Sequence, residues 1–361
     1  MSADPVAILR ELVAFRTDLE GRERPLAEHL AGRLRSLGAD DVIIADVPRA
    51  NGNPASWVYA RYGDPRTLVN AHLDTVPANA GWSTDPFTPL EKDGRLYALG
   101  AADTKGAAAA ILSALADERP VDTAILFSGD EETTSVVMRS LVESTLFEGI
   151  ERAIVCEPTS LRVGRRHRGI ASFETVATSA GGHSSQADDV PSPIGPLARL
   201  AVALEDWGRA RRNIGPKGFE GMCLNLARLD GGVAFNVIPA KATLEVSIRP
   251  PPGADMPAIR RELEALVSAL VPGGTVHFTR DNAPFATRDL ASFEPLLGDI
   301  ARAPIDLGFW TEAALLVAHG VDAVVFGPGD IAQAHGPDEW VALDDLRRAR
   351  EIFRAMFARR Q

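Results

Sequence analysis

The sequence predicts an α/β fold in two parts, a larger α/β domain interrupted by a smaller ferredoxin-like one. Three observations carry this. The first 160 residues alternate helix-spaced apolar positions with short, wholly apolar runs bounded by charge. From about residue 166 the runs instead alternate apolar and polar residues, as half-exposed antiparallel strands do. After residue 281 the first pattern returns. A chain of 361 residues also exceeds one ordinary core, so two domains are expected.

Taken in order, residues 5–16 and 24–37 space Leu, Val and Ala helically, and 42–46, 56–61 and 67–71 are short strands. An Ala-rich helix covers 104–117, followed by the apolar strands TAILFS (123–128) and RAIVCE (152–157). Buried strands alternating with helices make a layered sheet with helices on both faces. ASFETVATS (171–179) opens the second pattern, with a helix at 193–211 and strands at 222–229 and 242–250. A helix at 255–270 and the strand TVHFTR (275–280) complete β-α-β-β-α-β, the ferredoxin-like order. Helices at 289–302 and 311–319, the strand DAVVFG (322–327) and a helix at 343–359 close the chain. The expected division is 1–165 and 282–361 for the larger domain and 166–281 for the insert.

Composition narrows the function. With 45% hydrophobic and 24% charged residues the chain is globular, and its net charge of -11 argues against nucleic acid as a partner. No apolar run approaches the ~18 residues that span a bilayer, so no membrane partner is expected. The N-terminal stretch reads as an amphipathic helix, so no signal peptide is expected there, and Cys156 and Cys223 make no disulfide framework. A reducing cytoplasm is the expected location.

Five stretches at strand ends carry His or acid: NAHLDTVP with His72 and Asp74, GAADTKG with Asp103, SGDEET with Glu131 and Glu132, CEPT with Glu157, and IAQAHGPDE with His335. Open α/β sheets place ligands at such loops. Singly, each has a plainer reading: Asp103 as the cap of the helix that follows, the Glu pair as a solvated loop, His335 as a loop histidine. His72 is different, because it interrupts an apolar strand two residues before Asp74. That spacing puts both side chains on one side, where Asp74 would hold the imidazole. Gathered in one pocket, the carboxylates would repel until at least one went neutral. Two divalent cations remove that conflict, and mixed His and carboxylate donors suit zinc, with cobalt or manganese as substitutes.

HLDTVP, DTKG, DEE, CEPT and AHGPDE stand in the order and spacing of the M20 family of di-zinc peptidases and deacylases, which the chain resembles from about residue 8 to 355. The stretch GFWTEAALLVAHGVDAVVFGPGDIAQAH (308–335) resembles the acetylornithine and acetylcitrulline deacetylase branch. The resemblance implies a zinc-peptidase-like catalytic domain with an inserted lid and dimerisation domain. It implies His72 and Glu157 on one zinc, Glu132 and His335 on the other, Asp103 bridging, Glu131 as general base and Asp74 orienting His72. One departure is local: where the family often has a Gly-rich turn after DEE, this chain reads TTSVVM.

In the insert, the resemblance makes His183 of GGHSS the group that stabilises the oxyanion, often of the partner subunit. Asn236 of FNVIP and Arg249 of SIRP resemble residues that grip the substrate carboxylate, for which the guanidinium fork is suited. A turn histidine and a surface ion pair are the plainer readings of His183 and Arg249. Glu312 of WTEA is a candidate for a cationic or ureido substrate side chain. Arg165, Arg166 and Arg168 read as a solvated hinge. The expected activity is hydrolysis of a small N-acyl amino acid, first acetylornithine, then acetylcitrulline, then succinyl-diaminopimelate, with broader peptidase or aminoacylase activity as a further alternative. The expected assembly is a homodimer through the insert, because the 171–179 strand, with Glu174 its only charge, reads as an exposed edge. A metal-free binding protein on the same fold has no use for Glu131. A nucleotide-dependent oxidoreductase would need a glycine-rich phosphate loop after an early strand, and none is present.

Overall fold

The computed structural model describes residues 4–19 and 21–359. Two compact units emerge, one built from the chain up to Arg165 with Thr287–Asp306 and everything from Thr311, the other from Arg166–Ala286 with Leu307–Trp310.

In the first unit, Asp4 accepts the Val6 amide and Pro5 fills the first turn, so a helix starts at once and runs Pro5–Val13. The Arg24–Ser36 helix likewise has proline in its first turn. The alanines of Lys105–Asp117 have a packing reason: every residue from Lys105 to Leu115 is buried, and small side chains let neighbours approach from all sides. This helix packs with Pro5–Val13 and the C-terminal helix Leu343–Phe357. Val136–Val142 and Ala313–Ala318 form a second helical pair. Between the helices lies a sheet in the order Asp41–Pro48, Pro54–Gly63, Asp122–Ser128, Thr67–His72, Arg152–Val155, Asp322–Val325. The first two pairings are antiparallel, and the four strands from Asp122–Ser128 onward run parallel. Four parallel strands end together, and that edge carries the chemistry.

The second unit is a four-stranded antiparallel sheet ordered Asn225–Gly231, Lys241–Ile248, Ile170–Thr178, Val276–Asn282, the ferredoxin-like order. Phe173, Leu244 and Val246 on one sheet face pack with Leu197, Leu204 and Leu263 of the helices Ile194–Ala210 and Met256–Leu270.

Several expectations shift. The 289–302 segment is no single helix: Pro295 and Gly298 (φ 67°) divide it into two 3-10 turns around a four-residue α turn. The strand expected from 222 starts at Asn225, after Cys223 in a left-handed conformation (φ 45°). The 171–179 strand is interior, with a neighbour on each side, so the edge argument for it fails; alternation of polar and apolar residues reports one covered face and is blind to position within the sheet. The edges belong to Asn225–Gly231 and Val276–Asn282. A small sheet of Leu90–Lys92, Arg95–Tyr97 and Trp340–Ala342 had no periodic signal at three residues per strand. Among the described residues no helix is long and apolar enough to cross a membrane.

Candidate active site

His72 ends a strand whose parallel neighbours on the two sides lead into the 129–132 loop and into Glu157. Because all three chains leave the sheet in one direction, their first loop residues meet. Asp103 arrives from the turn before the Lys105–Asp117 helix. It is not the cap; Thr104 holds that place, and the Asp103 carboxylate faces two histidines. Its Oδ1 lies 2.9 Å from His72 Nε2 and its Oδ2 3.3 Å from His335 Nε2. His335 Nε2 also lies 3.0 Å from Glu132 Oε1. Donor atoms of His72, Asp103 and Glu132 lie within 4.8 Å of one another, as do those of His72, Glu131 and Glu157. The plain readings of Asp103, the Glu pair and His335 therefore give way to one cluster.

Asp74 departs from its expected part. The Nδ1–H of His72 donates to the backbone carbonyl of Asp74 at 2.9 Å, while Oδ1 stands 3.7 Å away. A neutral ring that donates from Nδ1 keeps its lone pair on Nε2, the nitrogen facing Asp103. The Asp74 carboxylate accepts instead from the amides of Glu131 (3.2 Å) and Glu132 (3.0 Å), so it anchors the loop bearing both glutamates.

The electrostatics are those of a site built around positive charge. Burial, with Asp103 nearby, pushes Glu157 well above the usual carboxylate range, and burial does the same to Glu131. Burial opposes charge on His72, yet Asp103 and Asp74 outweigh it and hold its pKa well above the ordinary value. Hydrogen bonds to Asp103 and Glu132 lift His335 to about 10. Carboxylates and imidazoles thus compete for protons here, and divalent cations would replace those protons with fixed charge. The donor set of imidazole nitrogens and carboxylate oxygens fits zinc.

Residues the sequence reading passed over complete the site. Asp130 (φ 74°) accepts from the hydroxyls of Thr133 and Thr134, from Val136 N at 2.9 Å and from Arg49 Nε. With Ser135 also left-handed (φ 52°), these bonds shape the loop that follows Glu132. Arg49 is buried between Asp130 and Glu23. Glu339 takes three backbone amides at Gly100, Ala102 and Asp103. Buried Lys105, lowered to about 8 by burial, donates to the Phe15 carbonyl. Lys105, Asp130 and Glu339 stand inside the stretches GAADTKG, SGDEET and IAQAHGPDE, which could have flagged them, but residue type alone does not tell a backbone anchor from a ligand; Arg49 lies in no such stretch.

Glu312 is corrected. It is 1% exposed, and its Oε2 accepts from Asn70 Nδ2 (3.2 Å) and Ser128 Oγ (3.1 Å), so it is closed to a substrate side chain. Burial lifts its pKa to about 7. Asn70 precedes His72 by two residues on the same strand face, so Glu312 braces that strand beneath the cluster.

Within the second unit, exposed His183 pairs with Val237 across a short antiparallel bridge, and the Ser184 amide donates to the Asn236 carbonyl at 3.0 Å. His183 Nδ1 is 2.9 Å from Ser185 Oγ. Arg249 is exposed at the end of its strand, with its amide on the Met222 carbonyl. Arg168 holds the carbonyls of Glu220, Gly221 and Arg249, a structural task. In the first unit Arg165 pairs with Asp306.

A His and carboxylate cluster with donor atoms within 4.8 Å of one another, gathered beside the ends of parallel strands, fits a metal-dependent hydrolase. Residues 68–359 match Peptidase family M20/M25/M40, and the chain belongs to that family as an amidohydrolase. It is 34% identical to the N-acetyl-L-citrulline deacetylase of Xanthomonas campestris pv. campestris, over 82% of this chain and 83% of that one. It is 32% identical to the acetylornithine deacetylase of Myxococcus xanthus, over 96% and 94%. An M20 family metallo-carboxypeptidase from Sulfolobus solfataricus shares the fold, with a TM-score of 0.76 at 17% identity over 99% of both chains. So does a dinuclear metal binding peptidase of the same family from Bacillus subtilis, with a TM-score of 0.67 at 15% identity over 98% of this chain and 96% of that one. The chain is an M20 deacylase.

Proposed function

We propose that the chain hydrolyses N-acetylornithine to ornithine and acetate with two zinc ions bound. His72 and Glu157 would hold one, Glu132 and His335 the other, and Asp103 would serve both. The observation that carries this reading is Asp103, whose two oxygens lie 2.9 and 3.3 Å from different histidines. Zinc, when bound, supplies Lewis acidity toward the acyl carbonyl and toward water, and cobalt or manganese suits the same donors.

Glu131 is the general base. Of the two adjacent glutamates, Glu132 is the one against His335, while Glu131 lies beside His72 and Glu157 and takes the proton-transfer role. It takes the proton from the attacking water and returns it to the leaving nitrogen. Asp74, through the two amides it holds, keeps Glu131 and Glu132 turned to different tasks. His183 donates to the developing oxyanion from the partner subunit of a cytoplasmic homodimer. Arg249 and Asn236 grip the substrate α-carboxylate.

Acetylcitrulline is the second reading, favoured by the 34% identical relative of that activity. Desuccinylation ranks lower, because the relatives at 32–34% identity are named for removing acetyl groups. Acetate or succinate release is measured from acetylornithine, acetylcitrulline, acetylmethionine and succinyl-diaminopimelate. The highest kcat/KM on acetylornithine is expected; a preference for any other substrate replaces the reading.

A further inference from the structure

Residues 98–103 lead into Asp103 as turns, without a strand or helix to take their amides. The Ala101 amide stays local, on Ala98, and Leu99 reaches Pro86. The amides of Gly100, Ala102 and Asp103 all converge on one side chain. Oε1 of Glu339 accepts from Ala102 N at 2.8 Å and Asp103 N at 3.0 Å, and Oε2 accepts from Gly100 N at 2.9 Å. The Glu339 carbonyl takes a fourth, from Ala98 at 3.1 Å. Glu339 is 2% exposed. It stands four residues after His335 in the same loop, whose next anchor is Asp338, accepting from the Ser83 amide and hydroxyl.

We infer that Glu339 is the positioning residue of the metal site. It fixes the backbone of Asp103 and ties it to the segment bearing His335, so that the distance between these two ligands is set before a cation arrives. Only a carboxylate suits the task. Both its oxygens are acceptors, and three N–H groups need three acceptor positions. A glutamine would turn an NH2 toward at least one of those N–H groups, donor against donor. An aspartate keeps the charge and loses the reach. Partners that orient ligands from behind typically change metal affinity about 10–100-fold when replaced.

The inference rests on the zinc reading above. Zinc affinity is measured on chelator-stripped protein by competition with a chromophoric chelator, for wild type, Glu339→Gln and Glu339→Asp, beside the unfolding midpoint of each stripped protein. Both variants are expected to lose about 10–100-fold in zinc affinity, with stripped midpoints near wild type. Excess zinc should recover their activity without a change in KM. Wild-type affinity in a folded variant overturns the inference, as does a lowered midpoint with unaltered affinity. If Glu339→Gln does not fold, Glu339→Asp decides by the same comparison; failure of both to fold assigns Glu339 to the fold and overturns the inference. Wild-type protein that binds no zinc removes the zinc reading itself, and this inference with it.

Discussion

Glu131 and Glu132 are neighbours in sequence, yet Glu132 lies 3.0 Å from His335 while Glu131 groups with His72 and Glu157. That difference gives the sharpest expectation for a single residue. Glu131→Ala should keep its full zinc content while kcat falls ~10²–10⁴-fold, the usual contribution of a positioned base. Metal analysis beside steady-state kinetics checks it, and a variant that retains most of its activity removes the assignment. At this scale the sequence was legible where chemistry demands a residue type. His72 stood out alone as a histidine interrupting an apolar strand, whereas Asp103, Glu132, Glu157 and His335 became legible only as a set. Asp103 lies in the turn before a helix and His335 after a 3-10 turn, not at strand ends. Asp74 was legible as a site residue but not in its task, because spacing along a strand shows which side chains share a face and not which amides they accept. Glu312 misled for a related reason: an acid beside a recognisable motif says nothing of burial, and this one lies under the site on Asn70 and Ser128.

The elements position these residues through buried charge. Arg49 lies between Glu23 and Asp130, with side chains 5%, 1% and 0% exposed, and Asp130 begins the loop of Glu131 and Glu132. Removing the guanidinium strands two buried carboxylates. Arg49→Ala should therefore destabilise the protein by about 3–5 kcal/mol, as breaking one side of a buried ion pair does. Urea unfolding measures this, and a loss below 1 kcal/mol would show that the carboxylates find other partners. Element boundaries were legible where periodicity is long, as in the helices Lys105–Asp117 and Leu343–Phe357. They were not legible where short strands satisfy one another at a distance: Arg95–Tyr97 is the middle strand between Leu90–Lys92 and the distant Trp340–Ala342. Strand order was hidden too, since the hydrogen-bond neighbours of Ile170–Thr178 come from far along the chain.

For the whole molecule, protons and zinc should compete. In chelator-stripped protein His335 has a folded pKa of about 10, raised by Asp103 and Glu132, and burial raises Glu131 and Glu157. A raised folded pKa stabilises fully below the unfolded value and loses that contribution as pH climbs through the folded one. The glutamates lose theirs from about pH 4.5 upward and His335 from about 6.5 to about 10. Asp103 acts oppositely, but its lowered pKa places the change in acid. The rise in unfolding midpoint on adding zinc should thus grow from pH 6 to pH 8, with protons released on binding. A zinc effect that shrinks over this range contradicts the assignment. The most direct measurement of the central claim is acetate release from N-acetylornithine by one preparation in three states: as purified, stripped by chelator, and reconstituted with zinc. The account predicts turnover, its abolition, and its return at two zinc ions per chain; undiminished acetate release by protein shown to be free of metal would contradict it.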